Sequence, residues 1–67
     1  MKTPTHAILL LGKNIKYPIE KIHYDTKQVT LCEKPKVYNT VSVGDVVFDF
    51  SCFTDNEIKK FKQALNA

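Results

Sequence analysis

The sequence predicts an α+β fold: a small antiparallel sheet or partly open β-barrel of four to five strands, with one C-terminal α-helix. Three observations predict it. Apolar and polar residues alternate over the stretches 22–24, 29–31 and 46–50, which is the period of a half-buried strand. Turn formers interrupt those stretches, DTKQ at 25–28 and Gly44-Asp45, where the chain has to reverse. From residue 53 onward the apolar spacing lengthens to that of an amphipathic helix.

The first element is expected in THAILLL, residues 5–11, a continuous apolar run after Pro4. Such a run suits a strand buried on both faces or central in a small sheet. GKNIKYP follows. Gly12 can bend the chain, and Pro18 cannot donate to a ladder, so the expectation is a turn and then an edge segment near Ile15–Tyr17.

YPIEKIHYDTKQVTLCEKP, residues 17–35, reads as a hairpin. An even loop pairs Tyr24 with Val29 and Ile22 with Leu31, so these four side chains share the core face. His23 then lies opposite Thr30 and Lys21 opposite Cys32 on the outer face. A slip of one residue would set apolar groups against polar ones, which favours the even register.

EKPKVYNTVSVGDVVFDF, residues 33–50, continues as strand, turn, strand. Pro35 breaks the preceding strand, Val37 to Val43 is β-branched and extended, and Gly44-Asp45 turns. Val46, Phe48 and Phe50 then alternate with Val47 and Asp49. VGDVV at 43–47 resembles the turn-then-strand element common in small β-barrel binding modules, a likeness of five residues.

The helix is expected at about 55–66. Thr54 is its N-cap and Glu57, three residues on, completes a capping box. Phe53 and Ile58 have the spacing of a hydrophobic staple, and Asp55 and Glu57 suit the positive helix start. Ile58, Phe61, Ala64 and Leu65 form one apolar face, with Lys59, Lys60 and Gln63 toward water. No linker or repeat divides the chain, so residues 1–67 are read as one domain.

Size bounds the function. A chain of 67 residues buries only about 60% of its unfolded surface, and its core is worth roughly 3–5 kcal/mol net. A deep catalytic cleft would consume that core. The expectation is therefore no enzymatic activity and work through the outer surface or within a larger assembly. The longest apolar run, AILLL at 7–11, falls far short of the ~20 residues that span a membrane. It is also too short, and followed by Gly12-Lys13-Asn14, for a signal peptide. An intact, cytoplasmic chain is expected, with Cys32 and Cys52 as free thiols. A Cys32–Cys52 disulfide would close a loop of about 20 residues and could add ~3 kcal/mol.

The net charge of +3 comes from ten lysines against seven acids, with no arginine. Without the rigid guanidinium fork, base-specific DNA readout is disfavoured. The use of Lys, Asn and Ile in place of Arg also suggests an AT-rich genome, such as that of a low-GC bacterium or its phage.

His6, His23, Cys32 and Cys52 have zinc-ligand chemistry, but they are singletons 9 to 20 residues apart, whereas structural zinc sites use close pairs. Cys32 near Lys21 and His23 lacks the orienting group and oxyanion site that a nucleophile needs. Asp45, Asp49, Asp55 and Glu57 are each accounted for by a turn, a wet strand face or a helix start. No catalytic residue, metal or cofactor is predicted.

The lysines of the first half carry the remaining signal. Lys13, Lys16, Tyr17, Lys21, His23 and Lys27 are the predicted binding residues. The leading expectation is a small protein-interaction module in the style of phage and mobile-element inhibitors or adaptors, which bind a host protein or defence complex. Its contact would be a free strand edge at 13–17 or the outer face of the 20–33 hairpin. The alternative is a small barrel that holds nucleic acid on a Lys-rich face. A homodimer joined edge to edge is a third arrangement, and no membrane contact is expected.

Overall fold

The computed structural model describes residues 1–67 as a five-stranded antiparallel sheet, not closed into a barrel, followed by one helix. The elements in chain order are β1 (His6–Leu9), β2 (Lys16–His23), β3 (Gln28–Lys34), β4 (Val37–Ser42), a 3-10 turn (Val43–Asp45), β5 (Val46–Phe48) and α1 (Asp55–Leu65). Spatial order is β4-β3-β2-β1-β5. The expected fold class, an α+β chain with four to five strands and a C-terminal helix, is the one observed.

β2 is the hinge of this sheet. Its first residues pair with β1, in the register His6↔Pro18, Ala7↔Tyr17 and Ile8↔Lys16. Its later residues pair with β3, in the register Ile19↔Leu31, Ile22↔Val29 and His23↔Gln28. Of the expected edge segment at Ile15–Tyr17, Lys16 and Tyr17 pair with β1 alone; the correction is that the same strand continues and becomes interior from Ile19, where pairing with β3 begins. Proline is tolerated there for a geometric reason. Ile19 N–H donates to Thr5 C=O, so the alternation of the ladder points the nitrogen of Pro18 away from β1. On that other side, pairing with β3 has not yet begun, and no donor is missed.

The hairpin register also differs from the expected one. Residues 24–27 form the turn, so Ile22 pairs with Val29, and His23 with Gln28. Tyr24 leaves the ladder and sets its ring edge-on to Phe61, with centroids 6.4 Å apart. The slip is by an even step, so Ile22, Val29 and Leu31 keep the core face and His23 keeps the outer one. A bulge at Glu20 then does what period-2 alternation cannot. It turns Ile19 and Ile22, three residues apart, to the same side.

Two apolar clusters meet at Phe48. Ala7, Val29, Leu31 and Val46 are buried between the halves of the bent sheet, with Leu9, Tyr17, Ile19, Ile22, Val41 and Phe48 packed around them. The second cluster is aromatic. Phe61, fully buried, meets Phe48 at 5.1 Å, Phe50 at 5.8 Å and Tyr24 from the turn. These edge-to-face contacts add to simple area burial, and they fix the apolar face of α1 against the sheet.

The start of α1 is built as its sequence implies. Thr54 Oγ1 accepts from Glu57 N–H at 3.2 Å, and Glu57 Oε1 accepts from Thr54 N–H at 2.9 Å. Phe61 and Leu65 are the buried positions of the helix. The strand expected over 5–11 is shorter. β1 ends at Leu9, and Leu10 and Leu11 lie in the following turn at 57% and 99% exposure.

Candidate functional site

Three of the six residues expected to form a binding patch have structural employment. Lys27 adopts φ 58 at the end of the β2–β3 turn. Its ammonium donates to the carbonyls of Leu65 and, at 3.0 Å, Ala67. It thereby neutralises the negative end of α1. Tyr17 is half-buried and packs on the sheet core. Lys16 lies 3.4 Å from the carboxylate of Asp49. Asp49 is held below its ordinary range first by accepting Ser51 N–H, and also by Ser51's side chain and by Lys16.

Of the other three, Lys21 and His23 are neighbours on one face of β2, and Lys13 stands apart from them. Lys13 is exposed in the β1–β2 connection. Lys21 and His23 lie on β2 beside β3. There His23 Nε2 and Thr30 Oγ1 are 2.9 Å apart, and Thr30 Oγ1 and Thr40 Oγ1 are 2.8 Å apart. The five residues from Lys16 to Lys21 span roughly 16 Å along a strand, so the six positions form no single patch. His23 and Cys32 do not face one another either: Cys32 pairs with Tyr38 and donates its thiol to Lys34 C=O at 3.2 Å. Both cysteines are free thiols, and no group of three or more His, Cys, Asp or Glu converges.

Sequence reasoning missed two surfaces. The first is an apolar shelf. Ile8 and Val47 are paired across β1 and β5, and Val47 is 52% exposed. With Leu9, Leu10, Gly12 and Asn14 they line a shallow hollow of about 270 Å³. Leu10, Leu11 and Ile15 stand exposed on the same connection, and Lys13 lies among them. The run AILLL was the available signal. It reads as core by hydrophobicity, but the short β1 strand carries only its first half into the sheet.

The second is the free edge of β4. Val43 N–H donates to Lys27 C=O at 3.0 Å, which sets the phase of the β3–β4 ladder. Counting back from that bond by the antiparallel alternation, Val41 and Asn39 point their backbone groups at β3, while Ser42, Thr40 and Tyr38 point theirs outward. The close Thr30–Thr40 hydroxyl contact agrees, since side chains approach most closely at positions that do not exchange hydrogen bonds.

No helix of the structure is long and apolar enough to cross a membrane. No protein-family model matches this chain, and neither curated proteins nor solved structures include a match to it.

Proposed function

We propose that this chain is a small non-enzymatic protein-interaction module, an inhibitor or adaptor of the phage or mobile-element style that grips a host protein. The apolar shelf is its contact surface. The observation that carries this reading is the exposure of Leu10 and Val47, which line one hollow with Ile8 and Leu9, while Leu11 and Ile15 stand exposed on the adjoining connection. Contiguous exposed apolar surface is costly in a chain with so small a core, and it commonly marks a protein contact. Lys13 is exposed between Gly12 and Asn14, which line the hollow, so the complementary face is apolar with an acidic rim.

The test is comparative. Tagged wild-type protein and the Leu10→Glu/Leu11→Glu double variant are used to capture partners from the native cell, beside a Lys59→Glu control on the wet side of α1. Capture of the same protein by wild type and control, and its loss in the double variant, supports the reading. Capture indifferent to Leu10 and Leu11 refutes the shelf. Titration with single-stranded oligonucleotide distinguishes the alternative. Salt-sensitive NMR shifts at Lys13, Lys16 and Lys21 would move the reading to nucleic acid held by a lysine face.

A further inference from the structure

We infer that β4 pairs with β4 of a second copy of this chain, in antiparallel register about a two-fold axis at Thr40. The inference rests on the backbone edge of β4 and not on the proposed function.

The first ground is that this edge is weakly protected: the one bulge in its ladder lies at its start, between Cys32 and Lys34 of β3. Soluble proteins guard edge strands with lysine, proline, bulges or brevity. β5, the other edge, is only three residues long. β4 runs six residues as VYNTVS, with no charge and no proline inside it. Tyr38 and Val37 are 52% and 46% exposed.

The second ground is the phase of the ladder. The outward backbone groups belong to Tyr38, Thr40 and Ser42, a set symmetric about Thr40. A two-fold axis there sets Thr40 against Thr40 and Tyr38 against Ser42, with about six main-chain hydrogen bonds by the antiparallel pattern. On the inner face, Asn39 of one copy meets Val41 of the other. Asn39 and Val41 already border a shallow groove of about 230 Å³ with Leu9, Leu11, Gly12 and Asp45, which leaves room there for an added strand's side chains.

The third ground is charge. Lys34 ends β3 and Lys36 lies in the β3–β4 turn, and Glu33 beside them is engaged by Asn39 Nδ2 at 3.2 Å. The opposite end of β4 leads into Asp45. Antiparallel pairing brings the lysine end of each copy to the aspartate end of the other, twice over. A parallel arrangement would set like charges together. An isologous contact needs this self-complementarity.

Sedimentation equilibrium across the micromolar to millimolar range tests the pairing, together with amide exchange by NMR. A reversible dimer is expected, with exchange at Tyr38, Thr40 and Ser42 slowing as it forms. Thr40→Lys puts two ammonium groups at the axis and should weaken the dimer at least about tenfold. Its folded state is checked by its NMR spectrum. A second set of variants spares Thr40. Lys34→Glu/Lys36→Glu should weaken the dimer, and adding Asp45→Lys should restore it. Leu10→Glu, on the shelf, should leave it intact. A chain that stays monomeric to millimolar concentration overturns the inference. So does a dimer broken by Leu10→Glu and untouched by Thr40→Lys.

Discussion

Lys27 illustrates how much one side chain can join. It ends a turn in the left-handed region, and its ammonium closes the last turn of a helix 38 residues away in sequence. Replacing it by Met keeps the stem and removes the charge. Lys27→Met should cost about 0.5–1 kcal/mol in urea unfolding and speed amide exchange in the last turn of α1. Thr54 does the equivalent work at the other end, and Thr54→Ala should cost about 1 kcal/mol. The acid limb of stability belongs to two carboxylates. Glu57 is held below its ordinary value of 4.5, first by accepting Thr54 N–H and also by Lys2. Asp49 is held below 3.8 by Ser51 and Lys16. Both folded values are depressed, so their contribution is fully present above those ordinary values. It is lost as pH falls through the lowered folded ones. The urea midpoint should therefore fall below about pH 4.5, and Glu57→Gln should make that fall shallower.

At the scale of elements, α1 and β2 are opposite cases. Everything that makes α1 is local: a reciprocal cap, acids at its start and an apolar stripe at helical spacing. Its docking is aromatic, through Phe61 against Phe48, Phe50 and Tyr24. Phe61→Ala should cost about 3 kcal/mol or more by emptying that site. If Phe61→Ala is silent in urea unfolding, the helix does not dock by this ring. β2 depends on its neighbours instead. Pro18 argues locally for an edge, yet β2 lies inside the sheet because its two partners change over at that residue. The bulge at Glu20 is equally invisible to a pattern count, which places Ile19 and Ile22 on opposite faces.

The molecule as a whole has two clusters, one aliphatic inside the bent sheet and one aromatic beneath the helix, with Phe48 in both. Coupling through Phe48 implies that helix and sheet melt together. Far-ultraviolet circular dichroism, which follows α1, and tyrosine fluorescence, which reports Tyr17, Tyr24 and Tyr38 in the sheet and its turn, should give coincident urea transitions. An earlier loss of the helix signal would mean that the aromatic cluster does not tie the two layers together. The same smallness that limits the core leaves Leu10, Leu11, Ile15 and Val47 outside it. The hollow of that shelf and the groove beside β4 share Leu9 and Gly12, so the two surfaces adjoin.

The sequence by itself determined what short-range physics decides. It determined the α+β class, the helix with its cap, the turn at Gly44-Asp45, and the side of the sheet on which Ile22, His23, Val29 and Leu31 lie. Each follows from spacing or capping within a few residues. Only the tertiary structure decided which strands are interior, where β1 stops and which lysines are already engaged. Lys27 looks free in sequence because its partners are carbonyls at the far end of the chain. AILLL looks like core because hydrophobicity reports affinity for an interior without reporting how much interior exists. Edges, shelves and ion pairs are properties of long-range neighbours, and the pattern along a chain of this length does not name those neighbours.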